Sequence, residues 1–237
     1  PKNRRVVLEE YCILTLPVVE KKLVSKLDGT VKYLFRLHDG EFIESVFMRY
    51  EHGNTLCIST QAGCRMGCTF CASTLNGLTR NLTASEMAGQ IITAQNDTGE
   101  RISNVVMMGM GEPLDNYDNT VRFLNLVSDE LGLNIGLRHI SVSTSGVVPK
   151  IYSLMETGMP ITLSISLHAP TNEIRDKIMK VNHAYPIEML LKACKEYTEK
   201  TGRRISFEYA LISGINDTDE CAGILAKKLR GMLCHLN

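Results

Sequence analysis

From residue 55 to the last residue, short apolar runs alternate with amphipathic stretches, and that alternation restricts the chain to folds built on a parallel sheet. The pattern predicts strands over 55–60, 105–110, 139–145, 161–168 and 205–212, with a sixth opening at 234–237. Between them it predicts helices over 83–96, 117–131, 149–156, 173–179, 187–198 and 217–232. The first of these opens on Thr83-Ala84-Ser85-Glu86, which has capping-box spacing. In the second, Val121, Leu124 and Val127 fall on one apolar side. A partly closed (βα) barrel and a doubly wound sheet both satisfy this order.

Ahead of the alternation, residues 30–50 read as a β-hairpin. Val31, Tyr33, Phe35 and Leu37 alternate with polar neighbours, Asp39-Gly40 supplies the turn, and 42–50 returns. The chain therefore divides into a hairpin-bearing segment, 1–50, and a (βα) core, 51–237. The 237 residues carry 26 Lys and Arg against 26 Asp and Glu, a net charge of 0, so any polyanion would have to be met by a local patch. Basic residues are scattered (Lys2, Arg4, Arg5; Lys21, Lys22, Lys26; Arg203, Arg204; Lys227, Lys228, Arg230) and read mostly as solvated surface. A hydrophobic content of 44% with 22% charged residues excludes a disordered chain. No apolar run approaches the roughly 20 residues needed to span a bilayer. The opening Pro1-Lys2-Asn3-Arg4-Arg5 lacks the apolar centre of a signal peptide, and the reading is a cytoplasmic protein without a membrane partner. The missing initiator methionine suggests an internal piece of a longer chain.

Eight cysteines are present, and three of them form Cys64-Arg65-Met66-Gly67-Cys68-Thr69-Phe70-Cys71. Without an export signal, such crowding points to metal binding or catalysis rather than disulfides. Three thiols with no evident fourth suit a 4Fe–4S cluster with one iron left open. Zinc is the alternative, with His52 or Cys57 as a fourth ligand, because structural zinc wants four protein ligands. A reactive-thiol role is the third reading. Cys12, Cys194, Cys221 and Cys234 read as structural.

Cys-x3-Cys-x2-Cys with an aromatic before the third cysteine resembles the signature of radical S-adenosylmethionine (SAM) enzymes. The flanking 55–64 segment, Thr-Leu-Cys-Ile-Ser-Thr-Gln-Ala-Gly-Cys, is similar to the RlmN/Cfr family of rRNA adenine methyltransferases. Met108-Gly109-Met110-Gly111-Glu112-Pro113-Leu114, Ser143-Thr144-Ser145-Gly146, Ser166-Leu167-His168-Ala169-Pro170 and Asn172-Glu173-Ile174-Arg175-Asp176 match further family segments in order. The resemblance runs from about residue 30 to the end. It implies a partial (βα)6 radical-SAM barrel preceded by a small β-hairpin segment, with the site at the carboxyl ends of the strands.

The resemblance also assigns roles. Cys64, Cys68 and Cys71 would hold the 4Fe–4S cluster. Gly111, Glu112, Ser143, Ser166, Leu167 and His168 would bind SAM, with Gly111 allowing close backbone approach and Glu112 accepting from the SAM ammonium. Glu44 would remove the ring proton of the substrate, and Cys57 would release the product by forming a disulfide with a methyl-carrying cysteine. In the family, one SAM methylates that cysteine and a second is cleaved to a radical that activates the methyl group for attack on carbon 2 or carbon 8 of adenine. Carbon 2 is the expectation here, as the housekeeping reaction. The implied partners are large-subunit rRNA, with tRNA as an additional candidate, and an electron donor such as flavodoxin or ferredoxin; the expected state is a monomer. A radical-SAM activase of a partner protein is the alternative function. By the same resemblance, most of an N-terminal RNA-binding domain, the last helix and the methyl-carrying cysteine are expected to lie outside this sequence.

Overall fold

The computed structural model describes Val6 and residues 15–237. Cys12 and the basic residues Lys2, Arg4 and Arg5 lie outside the described residues. The first described element is β1 (Val18–Val24), antiparallel to β2 (Val31–Arg36), which is antiparallel in turn to β3 (Phe42–Met48). The expected hairpin is β2–β3, with Phe35 opposite Ile43 and the turn closed by Leu37 N–H donating to the Glu41 carbonyl at 2.8 Å. Its alternation is realised as burial of Val31, Tyr33, Phe35, Ile43 and Phe47 on one face. The sequence did not announce β1. This edge strand carries Glu20, Lys21 and Lys22 on a bulge and is exposed almost throughout, the usual protection of an edge against pairing with another chain.

β4 (Thr55–Cys57) is the seam between the two architectures. It pairs antiparallel with β3, Leu56 opposite Phe47, and parallel with β7 (Asn104–Met107), Leu56 beside Val105. The parallel wall then continues through β8 (Ile140–Thr144), β9 (Thr162–Ser166), β10 (Ile205–Glu208) and β11 (Cys234–Leu236) in chain order. Six parallel strands taken in sequence order make the partial (βα)6 barrel. One hydrophobic core includes residues from both the meander and the wall.

The intervening helices are α1 (Ala84–Thr98), α2 (Tyr117–Ser128), α3 (Val148–Glu156), α4 (Asn172–Ile178), α5 (Ile187–Thr201) and α6 (Asp219–Leu229). The expected capping box is formed: the Thr83 hydroxyl accepts from Glu86 N–H, and the Glu86 carboxylate accepts from Thr83 N–H. Helix α2 stops at Ser128, short of the expected 131, where Asp129 turns extended and its carboxylate accepts from Leu131 N–H. Its buried stripe is Phe123, Leu124 and Val127, while Val121 is half-buried.

The wall has two chemically different faces. Val105, Ile140, Val142, Leu163, Ile165, Ile205 and Phe207 are fully buried in the core. On β8, β9 and β10 the alternate positions on the concave side are small or polar: Ser141, Ser143, Ser164, Ser166, Ser206 and Glu208. Ser141 and Ser164 hydrogen-bond to each other across the strands at 2.8 Å.

The expected 205–212 strand ends at Glu208, and two others are interrupted in ways that build the site. The 55–60 strand ends at Cys57, and Gln61–Gly63 (β5) leaves to pair antiparallel with Leu78–Asn81 (β6). The 105–110 strand ends at Met107 because residues 109–111 fold over β4–β5. Gly109 N–H donates to the Ile58 carbonyl at 3.0 Å, and Thr60 N–H donates to the Met110 carbonyl at 2.8 Å. Side chains are sterically barred there: a Cβ on Gly109 would lie 2.7 Å from the Ile58 carbonyl oxygen.

Candidate active site

The cysteine loop is held at its neck by β5–β6. Cys64 N–H donates to the Gly77 carbonyl at 2.9 Å, and Gly63, at φ +77°, passes so close that a Cβ would sit 2.0 Å from that same carbonyl. Within the loop, Cys71 N–H donates to the Cys68 carbonyl and the Thr74 hydroxyl to the Cys71 carbonyl at 2.9 Å. The loop is tied to the barrel where Thr69 N–H donates to the Ile178 carbonyl at the end of α4, at 3.0 Å. Cys68 packs against Ala169, Ile178 and Met179. Burial pushes the Cys64 thiol up to about 11 and the Cys68 thiol up to about 12, so both are protonated at neutral pH until an electrophile takes the sulfur.

These three cysteines line a cavity of about 260 Å³ at the carboxyl ends of the strands. Gly111, Glu112, Ser143, Ser166 and His168 line the same cavity. Leu167 does not: its side chain is in the core, its N–H donates to the Glu208 carbonyl and its own carbonyl accepts from Arg175. Glu44 and Cys57 are also outside that lining. Cys57 stands opposite Val46 in the β3–β4 register, so it shares the concave face with Glu44, two residues earlier on β3. The Glu44 carboxylate is half-exposed and paired with Lys32 Nζ at 2.9 Å. Burial pushes the Cys57 thiol up to about 11.

Gly111 has φ +101°, and a Cβ there would meet Gln61 Cβ at 2.6 Å and Gln61 N at 2.7 Å. The glycine is therefore demanded by packing of its loop on β5, a reason separate from any ligand. Glu112 is buried, and burial pushes its pKa up against the hydrogen bonds that lower it. Its carboxylate accepts from Ser145 N–H at 2.7 Å and Leu114 N–H at 3.0 Å, joining the β7 and β8 strand ends. His168 adopts φ +52°, and its Nδ1 accepts from Ala210 N–H at 3.0 Å, which leaves Nε2 as the protonated nitrogen. Burial holds this imidazole down to about 4, so it is neutral, and Phe70 of the cysteine loop stands edge-on to it at 5.1 Å.

Three contributors were not legible as site residues. Ser145 Oγ is buried in the cavity lining and has no hydrogen-bond partner. Glu208 lines the cavity with its carboxylate accepting from Ser206 Oγ and Asn237 Nδ2, each at 2.8 Å. Arg175 is fully buried behind the site. A serine two residues past Ser143 and a glutamate ending an inward-facing strand register were the available signals for the first two.

This donor set fits an iron–sulfur cluster better than a single metal ion. Among the described residues no three His, Cys, Asp or Glu side chains converge tightly enough to hold one ion. The zinc alternative also loses its fourth ligand. His52 stacks on Tyr50 beside a second hollow lined by the strands' opposite ends, and Cys57 does not line the cavity. The unpartnered Ser145 Oγ, beside three thiols, marks room for a polar ligand next to a cluster.

The sequence profile of the Radical SAM superfamily matches residues 58–222. A probable dual-specificity RNA methyltransferase RlmN from Alkaliphilus oremlandii is 59% identical over 236 residues, spanning 100% of this chain and 69% of that protein. Its counterpart from Clostridium tetani is 57% identical, over 100% of this chain and 68% of that one. The chain belongs to the RlmN family. The crystal structure of a radical SAM methyltransferase from Sphaerobacter thermophilus superposes with a TM-score of 0.94 at 46% identity, covering 100% of this chain and 70% of that one. A spore photoproduct lyase matches with a TM-score of 0.53 at 13% identity over 78% of this chain and 54% of that one, a likeness of fold alone. The radical-SAM family uses a 4Fe–4S cluster and SAM. Among the described residues no helix is long and apolar enough to cross a membrane.

Proposed function

We propose that the chain is the radical-SAM core of an enzyme that methylates carbon 2 of an adenosine in 23S rRNA, with tRNA as a second substrate. The observation that carries this reading is the convergence of Cys64, Cys68 and Cys71 with Glu112, Ser143, Ser166 and His168 on one cavity at the strand ends. The relatives' description as dual-specificity RNA methyltransferases supports RNA, in more than one form, as substrate.

In this reading Cys64, Cys68 and Cys71 hold the cluster, and Ser145 Oγ is a free donor for SAM beside Ser143. The cluster and SAM together supply a one-electron route to a carbon radical, which an unactivated adenine carbon requires. Glu44 then takes the ring proton on the carboxylate oxygen that Lys32 leaves free, and Cys57, losing its own proton, forms a disulfide with the methyl-carrying cysteine as that cysteine's bond to the transferred carbon breaks. Among the described residues Cys194, Cys221 and Cys234 do not line the cavity, so none is placed to be that cysteine. The electron comes from a flavodoxin- or ferredoxin-like donor, and the protein acts as a cytoplasmic monomer.

Adenine edges are hidden in an A-form helix, so the target base must be splayed out to reach a strand-end cavity. Several basic side chains are already engaged in ion pairs, among them Lys22 with Asp97, Arg49 with Glu100 and Lys228 with Glu188. RNA binding rests on local clusters of the other basic side chains and weakens with salt.

The test is full-length protein, anaerobically reconstituted, given methyl-labelled SAM and protein-free rRNA or tRNA, followed by nucleoside analysis. Label in 2-methyladenosine is expected. Label in 8-methyladenosine overturns the carbon assignment, and SAM cleavage with no label in either RNA favours an activase.

A further inference from the structure

Arg175 is the largest fully buried side chain among the described residues, at 0% exposure. Its guanidinium is satisfied wholly by neutral acceptors. Nε donates to the Leu167 carbonyl at 3.1 Å, Nη2 to the Ser145 carbonyl at 2.6 Å and the Ser166 carbonyl at 3.1 Å, and Nη1 to Asn182 Oδ1 at 3.1 Å. Among the described residues no carboxylate lies within 4.0 Å of it. The neighbouring Asp176 carboxylate acts on it only from one side chain away, accepting from Asn182 Nδ2 at 2.7 Å. Buried charges are ordinarily paired, because desolvating a lone ion costs several kcal/mol on the order of magnitude known for protein interiors. A cation held this way has no anion in direct contact.

A place for an anion follows from the packing. Helix α4, which carries Arg175, ends on Ile178 and Met179, and both pack against Cys68. The cysteine loop is tied to the same helix end, where Thr69 N–H donates to the Ile178 carbonyl at 3.0 Å. Three thiolates around a 4Fe–4S core of charge 2+ give a net charge of 1−, and one added electron makes it 2−.

We propose that Arg175 is the buried counter-charge that makes the cluster on Cys64, Cys68 and Cys71 easier to reduce. The inference rests on the cluster assignment above. Four of the five N–H groups are already used, so the residue acts through space and not as a ligand. It is a positioning residue as well, since it ties the β8 and β9 strand ends together. The step it assists is transfer of one electron from a low-potential donor protein or dithionite to the oxidised cluster, with no proton moved and no bond broken. A full positive charge acting across an effective dielectric of ~20 changes that equilibrium by on the order of tenfold.

The experiment is an EPR-monitored redox titration of the reconstituted full-length protein without SAM, with iron content and thermal melting checked on each variant. Arg175→Lys keeps the charge but loses most of the hydrogen bonds. Arg175→Gln loses both. The exchange Asn182→Asp with Asp176→Asn leaves Arg175 and the total charge in place but sets a carboxylate against Nη1. At the parent's midpoint potential, Arg175→Gln should lower the reduced-to-oxidised ratio about tenfold, which is 59 mV for one electron, and the exchange, which only brings a carboxylate closer, should lower it in the same direction by less. Arg175→Lys should stay near the parent. Equal shifts in Lys and Gln, or an unchanged potential in the exchange, would assign Arg175 to architecture alone and overturn the proposal. If Arg175→Gln does not fold, the exchange variant decides. A parent protein that takes up no iron would instead sink the cluster assignment, which the iron analysis reports separately.

Discussion

Replacing Gly111 with alanine tests whether the fold over β5, and with it the cavity wall, is built as described. At φ +101° a side chain is strained wherever it is placed, and such conformations cost of order 1–3 kcal/mol. The new Cβ would also lie 2.6 Å from Gln61 Cβ, 2.7 Å from Gln61 N and 2.8 Å from Thr60 Oγ1. Two of these neighbours are held in place: the Gln61 backbone N–H donates to the Met110 carbonyl, and Gln61 Nε2 donates to Asn81 and Asp115. Overpacking of this kind costs about 1–3 kcal/mol. Together the loss should be about 4 kcal/mol, a large part of the ~5–15 kcal/mol that holds a domain folded. Gly202, the left-handed cap of α5 at φ +64°, is the control, because a Cβ there meets nothing within 4 Å. Gly202→Ala should lose only the conformational part, about 1–2 kcal/mol. Urea unfolding of the two variants and the parent, followed by circular dichroism, measures the difference directly. Gly111→Ala losing no more than Gly202→Ala would refute the packing argument and the close crossing of 109–111 over β5.

Other outcomes follow from the same geometry. Changing Cys64, Cys68 or Cys71 singly to alanine should abolish iron uptake and SAM cleavage together, read by iron analysis and 5′-deoxyadenosine release. His168 titrates at about 4 in the folded protein against a usual 6.5, so the unfolded chain binds its proton first as pH falls. Its contribution is complete above pH 6.5 and is lost between there and pH 4, about 3 kcal/mol at 1.36 kcal/mol per unit. Asparagine tolerates the left-handed backbone, so His168→Asn should flatten that stretch of the stability–pH curve measured by urea unfolding. Asn116→Ala should cost on the order of 2–4 kcal/mol in the same assay, because Asn116 Nδ2 donates to the buried carbonyls of Thr60 at 2.9 Å and Leu82 at 2.7 Å. Affinity of the full-length protein for folded rRNA should fall between low and moderate salt in a filter-binding assay.

The order of elements was readable because hydrophobic period and caps are local. Thr83 and Glu86 announce α1 by their spacing alone, and the apolar outward faces of the wall set six strands in sequence. What the sequence hid depends on contacts between distant segments. Strand β1 has no clean alternation because an edge needs charges more than a buried face. The early ends of β4 and β7 come from Gly109 and Gly111 crossing Ile58 and Gln61, a tertiary event that strand propensity does not register. The cysteine loop stood out by its spacing, whereas Gly111, Glu112, Ser143, Ser166, Leu167 and His168 were named only through the resemblance; all but Leu167 line the cavity with the cysteines. Ser145 was not legible, because an orphaned hydroxyl is visible only once its surroundings are. Arg175 sat in plain view within a recognised segment, yet nothing local says that its charge is buried without a carboxylate.

The central claim is that Cys64, Cys68 and Cys71 hold a 4Fe–4S cluster whose open iron is met by SAM in the strand-end cavity. The most direct measurement is the EPR spectrum of the anaerobically reconstituted, dithionite-reduced protein, recorded with and without SAM on samples of known iron and sulfide content. About four irons per chain are expected, as this cluster type requires, with a spectrum that changes when SAM is added. Stoichiometric zinc without iron, or an iron–sulfur spectrum indifferent to SAM, would contradict it.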